Sequence, residues 1–93
     1  MVLSTEQVIA QLRVAIGQAL APSALEIIDD SPLHVGHPGA GGGGHYRVRL
    51  VSEAFRGRSP LERHRMVYAA VAALLKGSVH ALNISARTAD EKD

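Results

Sequence analysis

Five histidines and no cysteine set the chemistry open to this 93-residue chain. Imidazole nitrogen is a competent ligand for iron, zinc and copper, but a chain without thiols supplies no sulfur to a metal and forms no disulfide. Any soft-metal site must therefore use histidine or borrow sulfur from another molecule. His64 falls on the apolar border of a helical pattern beside Tyr68, and His45 starts an alternating stretch on its polar side. Both placements read as structural, hydrogen-bonded residues. His80 differs, because it directly follows a helix stop, in the first turn of a strand, where its neighbours can hold it rigidly beside a groove. His34 and His37 lie in a stretch rich in glycine and proline. Spacing alone singles out no metal pair, since nothing resembles HExxH or a zinc finger.

Charge offers a second chemistry. The net charge is only +1, which argues against a strongly basic nucleic-acid binder, yet Arg47, Arg49, Arg56, Arg58, Arg63 and Arg65 stand against Glu53 and Glu62 alone between residues 45 and 65. Arg63 and Arg65, on the exposed side of a helix, together with Lys76 and the arginines at 47, 49, 56 and 58, could meet phosphates and position a duplex without reading its bases. The alternative is a solvated helix face, or a surface that attracts an acidic protein. Three aromatic residues, none in a stacking pair, disfavour recognition of single-stranded RNA.

Enzymatic chemistry finds no support. There is no Ser-His-Asp arrangement, no nucleophile elbow and no carboxylate pair in a cleft; Asp29 and Asp30 are adjacent, so a strand would point them to opposite faces. The run Gly39-Ala40-Gly41-Gly42-Gly43-Gly44 matches GxGxxG on paper and also contains a GxxG. A dinucleotide fingerprint needs a helix after the glycines, a Walker loop needs Lys-Ser or Lys-Thr, and a KH GxxG sits between two helices; here a strand follows, beginning His45-Tyr46. A flexible spacer is the better reading.

These residues must be positioned by a small set of elements. Ser4 to Leu20 reads as a first helix, with Ser4 and Gln7 as a capping box and Val8, Leu12, Ala15, Ile16, Ala19 and Leu20 on one face. Leu25 to Ser31 reads as a short strand with Asp29 and Asp30 at its end, and Pro32 to Gly44 as a mobile loop. His45 to Ser52 alternates, Tyr46, Val48 and Leu50 one way and His45, Arg47 and Arg49 the other. Ser59-Pro60-Leu61-Glu62 is a second capping box with proline at the first helical position. It predicts a helix from Pro60 to Lys76 that is stopped by Gly77, with Leu61, His64, Val67, Tyr68, Val71, Leu74 and Leu75 on one face. Val79 to Ala86 reads as the last strand, with His80, Leu82 and Ile84 on one side and Val79, Ala81 and Asn83 on the other. Residues from about 89 onward read as tail, although Thr88 with Glu91 has the spacing to start one more helical turn. The predicted architecture is one α+β domain over residues 1–93 in the order α-β-β-α-β, a three-stranded mixed sheet covered by helices on one face.

Several spaced segments together resemble the signature of the BolA family. They are Phe55-x-Gly57-x-Ser59, Arg63-His64-Arg65-x-Val67-Tyr68 and Val79-His80-Ala81-Leu82, preceded in the same order by Asp29-Asp30-Ser31, His34 and Gly44-His45-Tyr46-x-Val48. The resemblance runs roughly from Gln7 to Thr88 and is more specific than any single short pattern. It implies a fold similar to the class II KH domain. It further implies partnership with a monothiol glutaredoxin of the CGFS type, the two proteins holding a bridged [2Fe–2S] cluster. The ligands implied on this side are a histidine in Val-His-Ala-Leu, which falls on His80, and a loop histidine, which falls on His34 with His37 as a near rival. The thiolates would come from the glutaredoxin cysteine and glutathione, and imidazole ligation has a precedent in Rieske-type clusters. Some BolA-like proteins are regarded as DNA-binding transcriptional regulators, which the resemblance carries as the alternative. Lacking an apolar run of about 18 residues and a basic-then-apolar leader, the chain is expected in the cytoplasm with no membrane contact.

Overall fold

Ser4 opens the first helix by a reciprocal exchange: its hydroxyl accepts from the Gln7 amide at 3.1 Å, and the Gln7 side chain accepts from the Ser4 amide at 2.9 Å. In the computed structural model, which describes residues 4–29, 44–76 and 79–91, helix α1 then runs Thr5–Leu20. Val8, Leu12, Ile16 and Leu20 are its buried residues, a stripe of strict four-residue spacing. The helix ends at Ala21 in the left-handed region (φ 44°), where its amide donates to the Gly17 carbonyl at 3.1 Å. That conformation is uncommon for a residue with a Cβ.

Three strands follow the predicted pattern. Strands β1 (Ala24–Asp29), β2 (Gly44–Val51) and β3 (Val79–Arg87) lie in the order β1-β2-β3, the first pair antiparallel and the second parallel. Asp30, Ser31 and the stretch to Gly43, including His34 and His37, lie outside the described residues. On β2 the alternation is as expected: Tyr46, Val48 and Leu50 are buried, and Arg47 and Arg49 are exposed. Leu12 and Ile16 of α1, Val48 and Leu50 of β2, and Phe55 join the core from different elements, all at 2 % exposure or less. Each such side chain contributes about 1.5–3 kcal/mol on leaving water. Both helices pack on this face, so Arg47 and Arg49 are left on the open face of the sheet.

Between β2 and the second helix a 3-10 turn, Glu53–Phe55, buries Phe55. Gly57 follows with φ 75°, the conformation that glycine adopts without a Cβ penalty. Helix α2 (Pro60–Ala70) starts with the second capping box, Ser59 and Glu62 exchanging bonds of 2.8 and 3.1 Å. Its extent differs from the single helix to Lys76. Val71 departs to φ −109°, ψ 16°, and the chain continues as a tighter 3-10 turn, Ala72–Lys76. No Gly or Pro marks the change, so local sequence gives no signal for it.

The buried face of α2 also differs. Leu61 is 59 % exposed and His64 is exposed, whereas Val67 and Val71 are sealed, with Met66 and Ala70 packed against the core. At its N-terminal turn the helix meets the sheet through Arg63 rather than an apolar side chain, the guanidinium donating to the Ala86 carbonyl of β3 at 3.2 Å. The contact stripe thus runs 63, 67, 71, one residue away from the apolar stripe through 61, 64 and 68.

Candidate functional site

The three strands share one end. Asp29, the last residue of β1, is opposite Tyr46, and Tyr46 is opposite Leu82 of β3. The parallel register steps there: Gly44 pairs with Val79, but His45 pairs with Ala81. The extra residue is His80. A bulge of this kind leaves one residue unpaired and bends the strand, a device found at strand ends and beside functional sites. It also overturns the simple alternation expected for β3. Val79 and Leu82 are both buried in the core, although strict alternation would put them on opposite sides.

Neighbouring side chains fasten this corner. Burial pushes the Tyr46 phenol above its ordinary range, the nearby Asp29 carboxylate adds to the rise, and a hydrogen bond involving Thr5 opposes it. Tyr68 of α2 donates its hydroxyl to the Leu82 carbonyl at 3.3 Å, two residues beyond His80. His64 stacks on the Tyr68 ring with centroids 5.4 Å apart, an exposed packing role and no ligand geometry. Of the implied ligands, His80 is fixed in backbone register at this corner, while His34 and His37 lie outside the described residues, in the stretch that joins Asp29 to Gly44. Among the described residues, no three His, Asp or Glu side chains form a group able to hold a metal ion.

The arginines do not form one basic face. Arg47 and Arg49 alternate onto the open face of the sheet, where Arg49 approaches Glu26 at 3.7 Å. Arg56, Arg58, Arg63 and Arg65 belong to the turn before α2 and its first two turns. Lys76 ends the 3-10 turn roughly 20 Å further along than Arg65.

Arg63, expected on the exposed side of the helix, is instead drawn in, with its side chain 13 % exposed. Its guanidinium donates to the Arg58 and Ala86 carbonyls, grips both Glu91 oxygens at 2.6 and 2.9 Å, and lies 5.9 Å from the Phe55 ring centroid. Arg56 is gripped from both sides, by Glu53 at 2.8 and 3.1 Å and by Asp90 at 3.1 and 3.3 Å. Arg58 approaches Glu62 at 3.7 Å.

The segment read as tail is therefore part of this constellation. Thr88 is buried; its amide donates to Glu91 at 2.8 Å and its hydroxyl to Asp90 at 2.6 Å, closing a turn over residues 88–91. The Arg56 guanidinium, followed by the Thr88 hydroxyl, holds the Asp90 carboxyl down at about 2. Arg63, followed by the Thr88 amide, does the same for Glu91, also at about 2. The Thr88/Glu91 spacing was the only signal for this turn in the sequence, and nothing there named its arginine partners.

Comparison with known proteins agrees with this architecture. The sequence profile of the family described as BolA-like protein matches residues 16–91. The chain is 48% identical over 79 residues to human BolA-like protein 1, covering 85% of this chain and 56% of that relative, so it spans little more than half of that protein's length. It is 41% identical over 73 residues to the DNA-binding transcriptional regulator BolA of Escherichia coli, covering 78% of this chain and 68% of that one. The solved BolA domain of SufE1 from Arabidopsis thaliana superimposes with a TM-score of 0.78 at 37% identity, covering 97% of this chain and 99% of that domain. With fold and sequence in agreement, this chain belongs to the BolA-like protein family.

Proposed function

We propose that this chain joins a CGFS-type monothiol glutaredoxin and co-ligates a bridged [2Fe–2S] cluster through His80 and His34, with His37 as the rival loop ligand, in iron–sulfur trafficking or iron sensing. The observation that carries the reading is the bulge at His80, at the sheet end from which the segment holding His34 and His37 departs. Two strand spacings across and two residues along separate Asp29 from His80, roughly 12 Å between Cα atoms. Five extended residues from Asp29 to His34 reach at most roughly 17 Å, so the tether is long enough. His37, eight residues from Asp29 and seven from Gly44, is also within reach. The donor set also fits a shared cluster: this chain has imidazoles and no thiolate, and the two cysteine-type ligands fall to the glutaredoxin and its glutathione. When bound, the cluster supplies an exchangeable iron–sulfur unit with a potential set by its mixed ligands. This chain's contribution is to hold His80 on a rigid strand and the loop histidine on a long tether.

The test is reconstitution with a glutaredoxin and glutathione, comparing visible absorption and circular dichroism for His80→Ala, His34→Ala and His37→Ala. Loss or displacement of the bands is expected for His80→Ala and for one of the loop variants. Spectra unchanged by both His80→Ala and His34→Ala would remove the ligand assignment.

A second reading, binding of duplex DNA, is favoured by two observations: the relative from Escherichia coli that bears a DNA-binding name is 41% identical here, and Arg58 and Arg65 of the α2 region are exposed. Titration of a promoter duplex at two salt concentrations tests it. Arginine–phosphate contact requires affinity that falls with salt, and binding absent at low salt sinks it.

A further inference from the structure

We propose that the turn over residues 88–91 is an intramolecular mask, in which Asp90 and Glu91 occupy the guanidinium donors of Arg56 and Arg63 that duplex phosphates would otherwise take. The inference rests on the duplex-binding reading and adds regulation to it. Carboxylate and phosphate each offer a guanidinium two anionic oxygens that accept a bidentate pair of hydrogen bonds, so a gripped carboxylate is a stand-in for a phosphate. Here the match is bidentate twice over, Glu91 on Arg63 and Asp90 on Arg56.

Charge accounting points the same way. Around the start of α2, Arg56, Arg58, Arg63 and Arg65 face Glu53, Glu62, Asp90 and Glu91, the charge of Arg65 bearing on Glu62. With Arg87 at the base of the turn, five cations meet four anions, so docking of the turn lowers the charge of this corner from +3 to +1. Two of those anions arrive from residues 28 and 34 positions away. The Arg56–Asp90 pair is exposed, so it is weak and screened by salt and a ligand carrying many phosphates can displace Asp90 first; the Arg63–Glu91 pair, with the Arg63 side chain 13 % exposed, opens only when the turn lifts. The Arg87 guanidinium, which donates to the Thr88 and Glu91 carbonyls, holds the turn at its base.

The experiment uses the full chain and a labelled duplex at about 50 and 200 mM salt. Asp90→Asn/Glu91→Gln removes both charges but keeps the oxygens that accept from Thr88, and Asp90→Asn alone is the milder variant should the pair fail to fold. Expected for the pair is about tenfold tighter binding at the lower salt, of the size of the two released pairs. Its log–log salt slope should steepen by about two, and by about one for the single variant. Glu6→Gln, which removes one charge from the start of α1, away from this corner, is the control for Asp90→Asn and should change affinity less than twofold. Adding Arg56→Gln to the unmasked pair should return most of the gain.

A gain from Glu6→Gln equal to that of Asp90→Asn, or a gain that survives Arg56→Gln, overturns the mask in favour of net charge. Wild-type duplex binding with no change on unmasking overturns the mask and leaves the duplex reading standing. No binding by any variant removes both.

Discussion

Replacing Ser52 with alanine should destabilise the domain more than removing the exposed capping hydroxyl of Ser4. Ser52 follows β2, is 1 % exposed, and serves three elements at once. Its hydroxyl donates to the Leu20 carbonyl at the end of α1 at 2.5 Å and accepts from the Ala54 amide at 3.1 Å, capping the 3-10 turn. Its own amide donates to the Arg87 carbonyl at the end of β3 at 2.9 Å. Alanine keeps the backbone bond and abolishes the other two. Loss of the cap costs about 1 kcal/mol, and leaving the buried Leu20 carbonyl unpaired adds about 1–3 kcal/mol. The sum, about 2–4 kcal/mol, corresponds to a fall in melting temperature of roughly 10–25 °C for a domain of this size. Urea denaturation followed by circular dichroism measures it directly. Ser4→Ala is the internal reference, because it removes an exposed cap of the same kind and should cost only about 1 kcal/mol. If Ser52→Ala costs no more than Ser4→Ala, burial and the bond to α1 contribute nothing and the reasoning is wrong.

Three further outcomes follow from the same geometry. Leu12→Ala, at a sealed position in α1, should cost about 2–5 kcal/mol in denaturant titration, while Leu61→Ala should stay within about 0.5 kcal/mol; comparable losses would contradict the face assigned to α2. Gly57→Ala should cost about 1–2 kcal/mol through backbone strain alone, since an added Cβ meets nothing within 4 Å, whereas Ala21→Gly should raise stability by up to about 1 kcal/mol by the converse argument. The clamp on the 88–91 turn should depend on pH in a defined window. With folded values of about 2 against ordinary values of 3.8 and 4.5, Asp90 and Glu91 contribute stability above about pH 4.5 that is lost as pH falls toward 2. Carboxyl-carbon chemical shifts read this directly, and a Glu91 midpoint near 4.5 would show that Arg63 does not hold it.

What could be read from the sequence was local. The pairs Ser4/Gln7 and Ser59/Glu62 announce helix starts because the bonds that define a capping box span only three residues. Alternation along Tyr46, Val48 and Leu50 announces a half-buried strand for the same reason. Apart from the break of α2 at Val71, the departures involve partners distant in the chain. The face of α2 is set by Arg63 meeting the carbonyl of Ala86, and no periodicity within the helix encodes that. The step at His80 appears only when β3 is laid against β2. The apparent +4 of residues 45 to 65 dissolves because Glu26, Asp90 and Glu91 come from outside the segment. The histidines implied by family resemblance could be numbered from sequence, but the strand corner that brings His80 beside the root of their loop could not.

The parallel register of β2 and β3 also governs how the molecule assembles. Tyr46 must find Leu82, thirty-six residues away, and α2 must already lie across the gap for that pairing to persist. Such remote closures slow the search, so refolding should be slower than that of helical bundles and faster than that of all-β domains. Until the closure is made, β2 can be flanked only by β1, and any nascent chain still lacking β3 exposes one side of its central strand to whatever polypeptide is near.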